Sequence, residues 1–408
     1  MKLRVAVVAD FAEEGWPSMD LVAGELFDRL RTEHADQVSP TLVRPPFWRR
    51  FSRAGDAPAH ANGEPGSPSQ TRFNADRLLN RLVDYPRYLK RLRNDFDIFH
   101  ITDHSYAHLV RSVPSSRAIV TCHDLDAFRI VLESAAESRP GKLIAMPLKL
   151  MAARQLSGLR RAAMVACDSL ATREELSQHR LVEAGRTVTI HNGVADIFSP
   201  HTDSDADREA ACMLGPARTG QLEILHVGST IPRKRIDVLL RTFAAIRAAH
   251  PVARLVRVGG PFTLAQMKLA RDLNVETAVA VLPFVERAVL AAIYRRAALV
   301  LITSEGEGFG LPLVEAMACG APVIASDLAV LREVGGDNVQ FAAVGDVPAW
   351  TEIALRLIRD RSGDPATCDA RRTVALKHAA TFSWSEYARR YVELYWQIAA
   401  AITPRVST

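Results

Sequence analysis

Short apolar runs alternate with longer segments of helical period along this chain, in two passages separated by a polar stretch, and that alternation limits the fold more than any other feature. The first passage opens on Arg4–Ala9, a continuous Val/Ala run suited to a parallel strand buried on both faces. A helix is expected over about Met19–Glu33. Further strands are expected at Ile98–Ile101, Ala118–Thr121, Met164–Cys167 and Val188–Ile190, with a long helix at about Gly141–Arg161. Residues 199–220, which include HTDSDAD, read as the break. The second passage predicts strands at Glu223–Val227, Arg254–Val258, Val279–Pro283, Leu299–Thr303, Val323–Ala325 and Val339–Ala342. Helices are expected between them at Asp237–Ala249, Thr263–Leu273, Glu286–Arg296, Pro312–Cys319 and Pro348–Arg359. Two such passages imply two doubly wound α/β domains, residues 1–198 and 199–383, with ligands at the carboxyl ends of the strands. A last helix, about Ser385–Ala401, carries Tyr387, Tyr391, Leu394 and Tyr395 at helical spacing and is expected to pack on the first domain.

At 408 residues the chain exceeds one ordinary core, and 48% hydrophobic with 24% charged residues is the balance of a soluble globular protein. No apolar run has the length of a membrane span, and the start Met1-Lys2-Leu3-Arg4 leads into a strand, not a signal peptide. Five scattered cysteines without a CxxC pair indicate neither a disulfide framework nor a zinc site, so a reducing cytoplasm is expected. The net charge of +5 is concentrated: residues 41–95 hold eleven Lys/Arg and five Asp/Glu, a local balance of 11 − 5 = +6.

The segment Thr303–Asp327, TSEGEGFGLPLVEAMACGAPVIASD, reads strand, glycine loop, short helix, glycine stop, strand. Gly306, Gly308 and Gly310 let the backbone approach a ligand closely, and Pro312 fits the first helical turn. The helix start is a natural place for phosphate or sugar oxygens. This segment resembles the family 4 glycosyltransferases, retaining enzymes that use nucleotide sugars. Their signature is two glutamates separated by seven residues, matched here by Glu307 and Glu315. The resemblance implies the α/β fold called GT-B, with two Rossmann-like domains facing across a cleft and a C-terminal helix returning to the N-terminal domain. It assigns Glu315 to the ribose hydroxyls, Glu307 to the donor sugar, and the backbone of Gly308, Phe309, Gly310, Leu311 and Pro312 to sugar or phosphate.

A second strand–loop–helix, His226–Leu240 (HVGSTIPRKRIDVLL), brings Arg233 and Lys234 to a strand end. Cations there would stabilise negative charge on a leaving phosphate. The resemblance gives Lys234 the diphosphate. Where many relatives carry an arginine after Val-Gly this chain has Ser229, so Arg233 or Arg235 is expected to compensate.

In the first passage, Thr121–Phe128 (TCHDLDAF) follows a strand, and the resemblance places His123 near the scissile bond. Asp124-Leu125-Asp126 fits a metal-holding DxD pattern, but Asp124 is read as an orienter or helix cap and no metal is expected. Gly15, in the first strand–helix loop, is a weak match to a phosphate-proximal glycine. His104 and Tyr106, in FHITDHSYAHL, are read with Asp124 as an acceptor-side wall on a strand entering a loop. Residues 54–71, rich in Pro, Gly, Ser and Ala, read as a mobile loop. Asn192-Gly193-Val194 reads as a structural turn between domains.

RPPFWRRFSR, Arg44–Arg53, interleaves Phe47, Trp48 and Phe51 with arginines, a composition suited to an anionic membrane surface. No nucleic-acid-binding motif accompanies it.

The expected reaction moves a hexose, mannose or glucose type, from a nucleoside diphosphate sugar to a glycan or lipid-linked acceptor with retention. His123, Glu307 and Lys234 would be its catalytic residues. GDP-mannose and UDP-glucose both stay open, as does the oligomeric state. A non-catalytic sugar-nucleotide binder is one alternative. An NAD(P)-dependent oxidoreductase is another, opposed by the absence of GxGxxG after the first strand.

Overall fold

A computed structural model describes residues 2–54, 56, 67–126, 128, 146–216 and 220–402, with the backbone alone described for 146–148. Two compact units form, Met1–Asn192 with Trp384–Thr408, and Gly193–Ser383.

The first unit is built on β1 (Leu3–Val8), β2 (Val38–Val43), β3 (Ile98–Ile101), β4 (Ala118–Cys122), β5 (Met164–Cys167) and β6 (Thr187–Thr189). These pair in parallel in the order β2-β1-β3-β4-β5-β6, with Val8 against Ile101 and Ile101 against Val120. β1, β3 and β4 are buried throughout their centres because helices cover both faces. β2 has no counterpart in the sequence reading. It is an edge strand, VSPTLV, whose exposed middle carries Pro40, so it shows no continuous apolar run.

Helix Pro68–Leu79 begins inside the stretch expected to be a loop, with the Ser67 side chain capping it by accepting from the Gln70 amide. Residues 55 and 57–66 of that stretch, and 141–145 of the expected long helix, lie outside the described residues. After β3 the chain enters a 3₁₀ segment, His104–Ser112, capped by the Asp103 carboxylate, in place of the loop expected there. The C-terminal helix, Trp384–Ile402, buries Trp384, Tyr387, Tyr391 and Tyr395 in this first unit. Two of those phenols reach the sheet: Tyr395 lies 2.8 Å from His100 Nδ1, and Tyr391 lies 2.8 Å from Thr121 Oγ1. Such buried hydroxyls need partners, and these bonds fix the helix in register on β3 and β4.

The second unit holds β7 (Glu223–Val227), β8 (Arg254–Val258), β9 (Val279–Leu282), β10 (Leu299–Ile302), β11 (Val323–Ser326) and β12 (Gln340–Ala342). All pair in parallel, in the order β12-β11-β10-β7-β8-β9. The stretch 199–220, read as the polar break between the two passages, contains helix Ser204–Leu214, whose start is capped by Asp203. Its buried face is Ala206, Ala210 and Leu214, too small and sparse to announce a helix. Helix Pro365–Ala379 was equally silent, burying only Ala375 and Ala379.

Strand order reverses between β1 and β3 in the first unit and between β7 and β10 in the second. Loops leaving the carboxyl ends of neighbouring strands diverge at such points and open a crevice.

Candidate active site

In the second unit that crevice is bounded by the loop after β7 and the loop after β10. The first carries Gly228, Ser229 and a 3₁₀ turn, Pro232–Lys234; the second runs Thr303 to Gly310. They are tied together. Glu305 N donates to Arg233 O at 2.8 Å, Thr303 Oγ1 to Lys234 O at 2.9 Å, and Arg233 Nη1 to Gly306 O at 3.3 Å. Lys234 Nζ donates to Glu307 Oε1 at 2.5 Å, and Ser304 Oγ donates to the same oxygen at 2.7 Å. Burial pushes the Glu307 carboxyl up, but Lys234 and Arg233 outweigh it and hold it below the ordinary range. Glu307 is therefore an anion presented beside a cation.

Gly310 then starts helix Leu311–Ala318 with φ 96°, and a Cβ there would lie 2.7 Å from Leu331 Cδ2. Only glycine suits that position. Pro312 follows in the first turn. Glu315, on this helix, is buried, and its Oε2 accepts from the Tyr294 hydroxyl at 3.0 Å. Burial pushes its carboxyl up to about 7, partly offset by Tyr294 and Arg287. Phe309 turns inward, its ring meeting Phe382 edge-on at 5.7 Å, so only its backbone is available to a ligand.

Ser229, Arg233, Lys234, Glu307, Gly308, Gly310, Leu311 and Glu315 thus lie on the loops and helix of one crevice. Arg235 does not join them. It sits at φ 46° and pairs with Asp237 at 2.8 Å and Glu305 at 3.4 Å, so its charge is already met. Sequence reasoning missed Tyr294, the partner of Glu315, and Arg257, buried beneath Gly228. Tyr294 lies within a helical apolar face and carries no motif. Arg257 interrupts an apolar strand, RLVRV, and that interruption was the available signal.

The other expected residues belong to the first unit. His123, after β4, is buried with both ring nitrogens engaged: Nδ1 with Asp168 Oδ2 at 2.5 Å and Nε2 with the Thr102 carbonyl at 2.7 Å. Both partners are acceptors, so both nitrogens carry protons. Burial would lower this pKa, but Asp168 and Asp103 outweigh it and raise the imidazole to about 10. Asn192 Nδ2 donates to the same Asp168 oxygen at 3.0 Å. His123 is thus a buried imidazolium already committed to protein partners. Asp168 is a further residue the sequence did not reveal, standing directly after β5.

His104 is buried between Asp103 at 3.4 Å and Asp124 at 3.7 Å, and its Nδ1 accepts from the His123 amide at 3.3 Å. Asp124 Oδ1 accepts from the Asp126 amide at 3.1 Å, a capping turn. Tyr106 does not form a wall open to solvent. It is buried beneath Arg81, and its hydroxyl donates to Glu14 at 2.7 Å. Glu14 also pairs with Arg81 and with Arg77 at 3.2 Å, and so anchors the loop ending at Gly15, which has φ 63°. Among the described residues no three or more His, Cys, Asp or Glu side chains group as a metal would need.

In the basic segment, Arg44 pairs with Asp20, Arg50 with Asp84 at 2.8 Å and Arg72 with Asp56 at 3.2 Å. Buried Asp76 accepts from the amides of Arg50, Phe51 and Ser52, fixing the loop's path. Phe47 stacks on Phe73 at 5.4 Å, whereas Trp48 and Phe51 are 57% and 54% exposed. Two aromatic rings face outward there, beside Arg49 and Arg53, which are exposed and in no ion pair among the described residues. No helix among the described residues is long and apolar enough to cross a membrane.

Comparison with known proteins identifies the family. Residues 35–198 match the domain described as Glycosyltransferase Family 4, and residues 215–370 the one described as Glycosyl transferases group 1. A D-inositol 3-phosphate glycosyltransferase of Catenulispora acidiphila is 30% identical over 331 residues, 77% of this chain and 75% of that protein. The chain belongs to glycosyltransferase family 4. A family 4 relative of the same description from Mycolicibacterium smegmatis is 35% identical over 219 residues, 50% of this chain. The match spans about half of that relative's length, 48%. Anabaena HepE, solved in complex with UDP-glucose, superposes with a TM-score of 0.68 at 17% identity, covering 97% of this chain and all of that one. Sucrose-phosphate synthase from Thermosynechococcus elongatus gives 0.68 at 20% identity, covering 98% of this chain and 100% of that one. These likenesses identify the fold of this family 4 chain as GT-B, with two Rossmann-like domains.

Proposed function

We propose that this family 4 chain transfers a hexosyl group from a nucleoside diphosphate sugar to a hydroxyl of a glycan or lipid-linked acceptor, with retention of configuration. The observation that carries the reading is the Lys234–Glu307 pair beside the Gly310-started helix with Glu315, all at the point where strand order reverses. A diphosphate leaving group gathers negative charge as the glycosidic bond breaks. Lys234 and Arg233 would meet that charge in a site shielded from water, where a fixed cation acts most strongly. Glu307 would accept from sugar hydroxyls and Glu315 from the ribose. With protein cations at the diphosphate, the reading assigns no metal. His123, as a cation bound on both nitrogens, is assigned to holding the end of β4 rather than to a hydrogen bond with the sugar.

One specific observation favours a second acceptor, since the Catenulispora acidiphila relative is named for inositol 3-phosphate. The test is a thermal-shift panel of nucleotide sugars, followed by nucleotide release with the best donor and either a glycan-lipid extract or inositol 3-phosphate. Expected are one stabilising donor, release that depends on acceptor, an unchanged anomeric configuration by NMR, and no loss of rate in a chelator. Donor binding without release under any acceptor would leave only a sugar-nucleotide binder and sink the transferase reading.

Contact of residues 44–53 with an anionic membrane would rest mainly on Trp48 and Phe51, since two of the loop's four arginines, Arg44 and Arg50, are already in ion pairs. Trp48→Ala with Phe51→Ala is expected to reduce co-sedimentation with anionic vesicles strongly, while raised salt weakens wild-type binding only modestly, through Arg49 and Arg53. A steep fall with salt would show that the arginines carry the contact instead.

A further inference from the structure

Arg257 is fully buried in β8, and it has no ion-pair partner among the described residues. Its Nη2 donates to the carbonyls of Gly228 at 2.8 Å and Gly259 at 3.3 Å, and its Nη1 to the carbonyl of Gly260. Nε has no partner among the described residues, and the Phe262 ring lies 5.3 Å from the guanidinium. Burial without a nearby carboxylate draws its pKa down to about 10, which leaves it charged at neutral pH. A buried cation held only by carbonyl dipoles is costly, and one placed beneath a ligand loop points to an anion that completes it.

The loops are shaped around it. Gly259 has φ 125°, and a Cβ there would lie 2.1 Å from Gly228 O. The two loops can therefore close on one guanidinium only with glycine at position 259. Every peptide is trans among the described residues, so a carbonyl and the following N–H point in opposite directions. With Gly228 O turned toward Arg257, the Ser229 N–H points out of the loop, and neither that N–H nor the Ser229 hydroxyl has a partner among the described residues. Buried His226, on the neighbouring strand, is kept neutral by burial and by the charges of both Arg257 and Lys234. Both cations therefore bear on the same strand ends.

We propose that Arg257 is a positioning residue for the donor's diphosphate, turning the Ser229 amide toward a phosphate oxygen and adding positive charge from beneath the loop. This rests on the donor reading above. The test is calorimetry on the full chain with UDP, GDP and ADP and with the corresponding monophosphates. In Arg257→Met the preference for diphosphate over monophosphate is expected to fall about tenfold, the scale of one charge-assisted hydrogen bond. The thermal midpoint should be unchanged or higher, because an unpaired buried charge has been removed. Adding Ser229→Arg should restore part of the preference. An unchanged preference, or equal loss for both phosphates, would overturn the proposal. If Arg257→Met does not fold, Arg257→Lys replaces it, keeping charge but not the fork across three carbonyls; it too must lose preference selectively. Failure of the wild-type chain to bind any of the three diphosphates would sink the donor reading itself, and this inference with it.

Discussion

Lys234→Met is expected to lower kcat/KM by about 10²–10³ fold, the range for removing one fixed electrostatic group at a developing charge. Two effects combine in that number. The leaving phosphate loses a cation, and Glu307 loses the partner that keeps it ionised. Glu307 is buried, so it would be left with the Ser304 hydroxyl and the field of Arg233. Breaking one side of a buried pair costs about 3–5 kcal/mol, so a fall in stability should accompany the fall in rate. The double variant Lys234→Met with Glu307→Gln separates the two. It removes both charges and should recover much of the stability while leaving kcat/KM low. Recovery of the rate along with stability would mean the pair only holds the loops together.

That pair shows what could be read before any coordinates. Glu307 and Lys234 stand in separate loops, and it was the resemblance to family 4 that assigned both to one donor site. The contact itself follows from β7 and β10 being neighbours, which requires knowing where strand order reverses. Strands buried on both faces were legible as short, mainly apolar runs: β3, β5, β7 and β8 fall where the runs predict them, with His100, Glu223, His226 and Arg257 as buried polar exceptions. Elements that bury little were not. β2 lies on an edge with Pro40 in its middle, and helices Ser204–Leu214 and Pro365–Ala379 bury mainly alanines.

Residues that act through others were the hardest to find. Asp168 and Asn192 follow different strands and converge on His123 only once β4, β5 and β6 lie side by side. His123 itself was legible as a strand-end histidine, but its charge was not, since that depends on both ring nitrogens facing acceptors. The basic segment was read correctly as arginine-rich. Its charge balance did not reveal that Asp20, from outside it, reaches Arg44, or that Asp84 and Asp56, within it, pair with Arg50 and Arg72.

Glu315 gives the sharpest pH dependence. Its carboxyl, at about 7, is raised above the ordinary value near 4.5 by burial, against Tyr294 and Arg287, the charged or titrating groups that face it. Between those values the folded chain holds a proton that the unfolded chain has lost, so stability falls as pH rises from about 4.5 to 7. Glu315→Gln should abolish that slope and be more stable than wild type at pH 8, by up to ~3 kcal/mol. Ribose hydroxyls donate, so they favour the carboxylate over the protonated acid. Nucleotide affinity should therefore climb as pH rises toward 7 and level off above it, with proton release on binding below that point. Calorimetry in buffers of different ionisation enthalpy measures the released proton directly. In Glu315→Gln the affinity should be at least about tenfold weaker and flat with pH, because a charged acceptor has been replaced by a neutral one. A pH-dependent affinity that survives in Glu315→Gln would place the titrating group elsewhere and remove Glu315 from the ribose.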